Sequence, residues 1–461
     1  MVPRVALAAA IAACLFAVAG ISTYAENANK LIGAALKDTE GLRRLEYLCY
    51  RIGNRPNGSQ ALARAIEWSV DEMKRAGLEN VRTIPVRVPH WVRGRESAVM
   101  VEPQRRPLFM LGLGGSTGAP KGGITADVVT VSTFGELEKL GRAAVEGKIV
   151  LYDAPFTTYD ETVEYRNSGA SRAARLGAVA ALVRSVTPAS LRDPHTGALD
   201  YTPADPKIPS AAVSVEDAIW IHHLTQAGEH VRVHLEMEAH YEADADSADA
   251  MGEIVGRELP EQVVVVGGHL DSWDVGQGAQ DDGSGAVAAL EAVTLMKQLG
   301  LRPRRTVRVV LWVDEENGGN GGAAYRRWLG AKAGDHYAAI EMDSGAEQPL
   351  GFNFTAPGRE AASPRGGASA AVKPEIRKRA EEAAGLLARI GAASVRDGAA
   401  EADVEPLLSA GIPAFGLRTA TEHYWNYHHS EADTFDKVDP GDFRKCVAAL
   451  AAMTYTLADW R

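Results

Sequence analysis

The chain is short of three things: cysteine, long apolar runs and basic charge. Three cysteines occur in 461 residues, and none belongs to a CxxC pair. A thiolate metal site and a disulfide scaffold are therefore excluded. Cys14 falls in the N-terminal leader. Cys49 and Cys446 can form at most one bridge, or remain buried thiols, and the sequence leaves both open. Beyond residue 25 no stretch is long and apolar enough to span a bilayer. The net charge of −11 argues against a nucleic-acid partner and leaves no basic footprint for a membrane surface.

What is present begins with the leader. Arg4 is followed by the uncharged run Val5 to Ile21, and Thr23-Tyr24-Ala25 sets small residues at −3 and −1 of a cleavage site. Residues 1–25 thus read as an export signal, which makes the mature protein secreted or periplasmic. Two alternatives use the same residues: a retained N-terminal anchor, and a lipid on Cys14 after Ile11-Ala12-Ala13. The remaining length is more than one ordinary core absorbs, so two domains are expected.

The turn Arg55-Pro56-Asn57-Gly58-Ser59 leads into a helix from Gln60 to Arg75 with Ser59 as its cap, then a strand over Val81 to Val88. Residues 93–240 change character. Short apolar runs between turns (148–151, 178–183, 211–215) predict a small, separate, strand-rich domain with few residues that suggest chemistry. Glu242 to Asp249 reads as a charged linker. From Met251 onward strands alternate with helices: 263–267, helix 283–299, 306–313, 337–342, helix 374–390, 414–417, helix 443–457. This pattern predicts an α/β sheet with helices on both faces. It is formed by residues 26–92 and 241–461. The Gly/Ala/Pro-rich patch 356–371 reads as a mobile loop.

Acids and histidines fall at the ends of the predicted strands. His269 and Asp271 follow the first, Asp314-Glu315-Glu316 the second, and Asp343 the third. Open α/β sheets bind ligands outside the carboxyl ends of their strands. Asp281 and Asp282 stand just before a helix, whose N-terminus favours negative charge. Carboxylates crowded at one edge repel unless protons or cations compensate them. Imidazole mixed with carboxylate suits zinc, and also manganese or cobalt. Five such ligands with one shared suit two metal ions, and a second carboxylate beside a ligand meets the need for a general base. Glu315 beside Glu316 fits that description. His336 and His423 are left as packed or surface residues, Glu401 and Asp403 as a solvated loop. Trp273 suits pocket lining and plain packing equally.

The ordered set Gly267-Gly268-His269-Leu270-Asp271-Ser272, Asp281-Asp282, Glu315-Glu316, Asp343, His429-Ser430 and Asp433-Thr434 resembles the co-catalytic zinc aminopeptidases, a family that also contains glutamate carboxypeptidase II. The string His269 to Asp282 is most similar to its plasma glutamate carboxypeptidase branch. The resemblance covers nearly all of the mature chain. It implies a mixed, largely parallel sheet interrupted by a small β-rich protease-associated domain. It implies two zinc ions: His269 and Asp343 on one, Glu316 and His429 on the other, Asp281 bridging. Glu315 would be the general base, and Asp271 would orient His269. The Asp281–Asp282 bond would be cis. Asp403 resembles a semi-invariant acid of the family. The chain departs from its relatives at His428, where many carry a tyrosine that stabilises the tetrahedral intermediate; an imidazole N–H there could donate to an oxyanion. The branch implies dipeptides with a free N-terminus as substrates, and a homodimer. Rival readings are an aminopeptidase or carboxypeptidase on longer peptides, the other two-metal carboxypeptidase class, a single-zinc glutaminyl cyclase, and a receptor that lost its ligands.

Overall fold

The computed structural model describes residues 25–189, 191–357 and 374–460. The leader up to residue 24, Cys14 with it, and the loop expectation for most of 356–371 lie outside the described residues.

Strands β1 (Glu79–Val88), β2 (Ala245–Ile254), β3 (Leu259–His269), β4 (Arg305–Trp312), β5 (His336–Glu341), β6 (Pro349–Thr355), β7 (Val395–Asp397) and β8 (Ala414–Thr419) form one sheet in the order β1-β2-β4-β3-β5-β8-β6-β7. The central four, β4-β3-β5-β8, run parallel. β2 joins β4, and β6 joins β8, antiparallel. β3 shows why the centre is parallel. Val263 to Val266 are buried without alternation, as a strand covered on both faces requires. Val264 and Val266 enter the larger core, and Val265 enters a second core on the other face.

Helices α1 (Gln60–Arg75), α2 (Ser284–Gln298), α4 (Pro374–Gly385) and α5 (Pro440–Asp459) contribute to the larger core, and α3 (Asn320–Leu329) to the other. Ser59 Oγ caps α1 by accepting from Leu62 N at 3.0 Å. One expectation fails here. The segment read as a linker, Glu242 to Asp249, is from Ala245 onward part of β2, paired to β1 along its length. Its charge misled. Asp246 is exposed and pairs with Arg87 at 2.7 Å, whereas Asp249 is fully buried and accepts from Val313 N at 3.1 Å.

The middle of the chain forms a second eight-stranded sheet with its own cores, covered by helices that include Tyr159–Arg175. The two crossings into it lie side by side: Trp91–Val92 pairs antiparallel with His240–Tyr241. Next to this ribbon Arg93 makes a two-bond pair with Asp274, at 2.6 and 2.8 Å, tying the inserted domain to the loop after β3. Cys49 and Cys446 are free and buried, and burial pushes the Cys49 thiol up to about 12. No described helix is long and apolar enough to cross a membrane.

Candidate metal centre

Parallel strands in register bring their C-terminal ends to one edge. His269 lies opposite Trp312 at the end of β4, and Gly267 opposite Glu341 at the end of β5. The residues that follow therefore meet: His269 and Asp271 from β3, Asp314 to Glu316 from β4, Asp343 from β5. The fourth component is the turn Ala279–Gly283, which leads into α2. Asp282 fastens that turn to the strand, accepting from His269 N and Gly285 N at 3.0 Å each. The approach is close enough to demand glycine. A β-carbon on Gly285 would lie 2.0 Å from the Met342 carbonyl oxygen, and one on Gly268 2.4 Å from Asp282 Oδ2. The Asp281–Asp282 bond is cis, as the resemblance implies. Asp433 accepts from the backbone N–H groups of Ala279, Gln280 and Asp281 at 2.8–3.1 Å, and so fixes where the Asp281 side chain starts.

Asp281 stands at the middle of the constellation. Its Oδ1 lies 3.2 Å from His269 Nε2, and its Oδ2 3.0 Å from His429 Nε2. Asp343 Oδ1 is 3.5 Å from His269 Nε2. Glu316 Oε2 is 3.1 Å from His429 Nε2. All five predicted ligands are thus brought together, in two groups that share one carboxylate. His269, Asp281 and Asp343 have ligand atoms mutually within 4.8 Å. So do Asp281, His428 and His429. Burial alone would keep the imidazoles neutral, but Asp343, Asp271 and Asp281 hold His269 well above the ordinary range, and Glu316 and Asp281 do the same for His429. Among the described residues, Asp281 Oδ2 and Glu316 Oε1 are buried and make no hydrogen bond of good geometry. Buried carboxylate oxygens in that condition fit a cation rather than a proton donor.

Asp271 acts differently from the simple expectation. Its backbone oxygen, 3.1 Å from His269 Nδ1, is nearer the ring than its carboxylate at 3.6 Å. The carboxylate accepts from Glu315 N at 3.3 Å and Glu316 N at 3.4 Å, and so also holds the loop that carries both glutamates. Burial, with Asp343 and Glu316 close by, raises Glu315 well above the usual carboxylate range despite the pull of His269. His428 stacks on His429 with ring centres 3.6 Å apart, and its Nε2 is 3.4 Å from Asp281 Oδ2. Burial and the neighbouring His429 keep it neutral.

The solvated reading of 401–403 is corrected. Asp403 is buried, accepts from Gly322 N at 3.2 Å, and is pushed up to about 8 by burial together with Asp271 and Asp343, against the pull of His269. Glu401 is half-buried and accepts from Ser344 Oγ at 3.3 Å. Trp273 is a packing residue: buried, edge-on to His429 at 5.6 Å, in a small cluster with Trp91, Ala239 and Val275.

Several contributors carried no sequence signal. Arg55, fully buried in the expected turn, donates to the carbonyls of Gly53, Leu270, Gln277 and Gly278 at 2.6–2.9 Å and ties down the loop after β3. The inserted domain, in which few residues suggest chemistry from sequence, backs the His428-His429 segment. Thr196 N donates to the His429 carbonyl at 2.9 Å, and His195 Nδ1 to that of His428 at 2.6 Å. Arg166 Nη1 reaches to 3.3 Å from His429 Nδ1. Between them Gly197, at φ +130°, leaves no room for a side chain: a β-carbon would lie 2.2 Å from Arg166 Nη1. The result is a cavity of about 440 Å³, walled on one side by Asp281, Glu315, Glu316 and Asp343 and on the other by Tyr159, Arg166 and Asn167. Tyr159 stacks across the two domains on Trp425, with ring centres 4.4 Å apart.

Known proteins resemble this chain in sequence and fold. The model of peptidase family M28 matches residues 250–454, and that of the PA domain residues 120–221. Carboxypeptidase Q of Xenopus laevis is 42% identical over 95% of this chain and 91% of its own length. The crystal structure of a peptidase M28 precursor from Shewanella amazonensis superposes with a TM-score of 0.88 at 30% identity, covering 96% of this chain and 98% of the other. An aminopeptidase from Aneurinibacillus sp. strain AM-1 shares the fold at 18% identity, with a TM-score of 0.63 and coverage of 94% and 96%. With near-complete coverage by such relatives and its acids and imidazoles gathered at one sheet edge, the chain belongs to peptidase family M28, as a metallopeptidase with an inserted PA domain.

Proposed function

We propose that this metallopeptidase is an exported exopeptidase that hydrolyses dipeptides with a free N-terminus, using two zinc ions held by His269, Asp281, Glu316, Asp343 and His429. The observation that carries the reading is Asp281, whose two oxygens face two separate imidazole–carboxylate groups. Manganese or cobalt suits the same donors. Zinc supplies Lewis acidity at the scissile carbonyl and makes water a nucleophile at neutral pH. The chain's own groups do the rest. Glu315, with its raised proton affinity, takes a proton from the attacking water and passes it to the leaving nitrogen. Asp271 keeps Glu315 and His269 in position. His428, held neutral, donates a ring N–H to the carbonyl oxygen as it gains charge.

The catalytic unit spans 26–92 and 241–461, with 93–240 inserted; the ribbon at 91–92 and 240–241 supports those bounds. Export rests on the leader, and a homodimer on the branch resemblance; cell fractionation and sedimentation test them. The deciding experiment is a peptide-library digest read by mass spectrometry, with free and acetylated N-termini side by side. Cleavage of free dipeptides alone is expected. Equal cleavage of acetylated peptides, or trimming of long peptides from either end, would replace the dipeptidase reading. Metal analysis of the purified protein should find about two ions per chain. One ion, unchanged by Asp343→Ala, would sink the two-metal assignment.

A further inference from the structure

The cavity contains more carboxylates than two metal ions and a base require. Asp281, Glu316 and Asp343 face the imidazoles, and Glu315 is placed as the base. Asp160 and Asp200 belong to the inserted domain and point to solvent: both are exposed, and Asp160 sits in the first turn of the helix Tyr159–Arg175. That leaves Glu401. It lines the cavity on the Asp343 side, half-buried, with Ser344 Oγ donating to its Oε1 at 3.3 Å. Among the described residues no lysine, arginine or histidine lies within ion-pair distance of it. Its place is also built. A β-carbon on Gly416 of β8 would come within 2.7 Å of Glu401 Oε1, so the glycine makes the room that the carboxylate occupies. Ser344 in turn is anchored through its carbonyl, which accepts from Thr419 Oγ1 at 2.6 Å.

A half-buried carboxylate with one neutral donor and no cation is poorly compensated. A ligand that brings a cation to this wall meets that deficit and gains a charge-assisted hydrogen bond. In a dipeptide whose scissile carbonyl lies at Asp281, the group one residue towards the N-terminus is the α-ammonium. We propose that Glu401 is the specificity residue that holds this ammonium group, with Ser344 aiming its carboxylate. This rests on the reading of the chain as an enzyme for free N-termini. It explains how the cavity measures that end: an acetylated nitrogen carries no charge for Glu401 and adds bulk where Gly416 has left space only for the acid.

The test compares Ala-Phe with lactyl-Phe, in which a hydroxyl replaces the amine, on the zinc-loaded full-length enzyme. Wild type should prefer Ala-Phe by about a hundredfold or more in kcat/KM, because lactyl-Phe keeps a hydrogen-bonding hydroxyl but loses the charge. In Glu401→Gln the preference should collapse to below about tenfold, with the loss falling mainly on KM, as removal of substrate binding requires. Glu401→Asp should recover part of it. Zinc content and the thermal midpoint of each variant report folding, so Glu401→Asp keeps the test open if the Gln variant is unstable. If wild type does not discriminate between the two substrates, the free-N-terminus reading itself fails. If wild type discriminates and Glu401→Gln discriminates as well, the assignment of Glu401 alone is overturned.

Discussion

On the sheet side of the cavity four of the five proposed ligands and the proposed base arrive at the end of a strand or the start of a helix: His269 from β3, Glu315 and Glu316 after β4, Asp343 after β5, Asp281 before α2; only His429 comes from a loop. Side chains do the work there, and register puts them together. On the inserted side, Thr196 and His195 act on carbonyls of the His428-His429 segment, and Arg166 on the His429 ring. That side supplies none of the five proposed ligands. In the proposed mechanism one wall carries the chemistry and the other holds the last ligand in place, so the two should fail differently when they are damaged.

The largest effect is expected on the catalytic wall. Glu315→Gln keeps the proposed metal ligands and removes the proposed base, so kcat should fall by about 10³-fold or more while metal content stays unchanged. Retained turnover, measured with a free dipeptide, would take the role from Glu315.

A second measurement separates folding from chemistry. His336 lies at the far end of β5, buried, with Nε2 2.8 Å from Tyr325 Oη, and burial holds it down at about 4. An unfolded histidine titrates at about 6.5. Between those values the unfolded chain binds the extra proton, so stability is fully present above pH 6.5 and drains away as pH falls towards 4. The full difference is of order 3 kcal/mol. His336→Gln should lose less stability than wild type over that window in denaturant titrations. Parallel losses would remove His336 as the cause.

On the inserted wall, Arg166→Ala removes a donor to the carbonyls of Ala198 and Thr196, loosens the segment that backs His429, and should weaken zinc affinity by about tenfold. Chelator competition reads this, and unchanged affinity would show that the inserted domain merely covers the cavity. The smallest effect belongs to the neck. Arg93→Ala breaks the pair with Asp274, which is only partly buried on the aspartate side, and should cost about 2 kcal/mol of stability. It should also raise KM without removing metal, because the pair joins the domains and touches no ligand.

The same contrast explains what could be read in advance. Apolar runs mark strand ends, and an acid or imidazole just after such a run is placed by the fold itself. His269, Glu316 and Asp343 were legible for that reason, and Asp281 because its turn precedes a recognisable helix. Asp403 was legible only through the family resemblance, not from its local pattern. Its burial comes from packing against Gly322 on another element, which leaves no trace in local polarity. Ala245 to Asp249 looked like a linker because one aspartate of the strand faces solvent and another pays for burial with a backbone donor. Arg166 reads as one polar residue among many on a polar helix. Only the folded chain brings it to His429, across 263 positions.

The ribbon formed by Trp91–Val92 and His240–Tyr241 has a consequence for how such a molecule can be assembled. Paired strands hold opposing Cα atoms about 5 Å apart, a gap that a two-residue hairpin turn closes. The whole inserted domain thus hangs from one doorway, and the chain on the catalytic side is nearly continuous without it. A gene could acquire, lose or exchange such a domain in a single splice while the catalytic-side sheet and its row of acids and imidazoles stay intact. Whatever replaced it would inherit the task of steadying His429, and with it control over what enters the cavity.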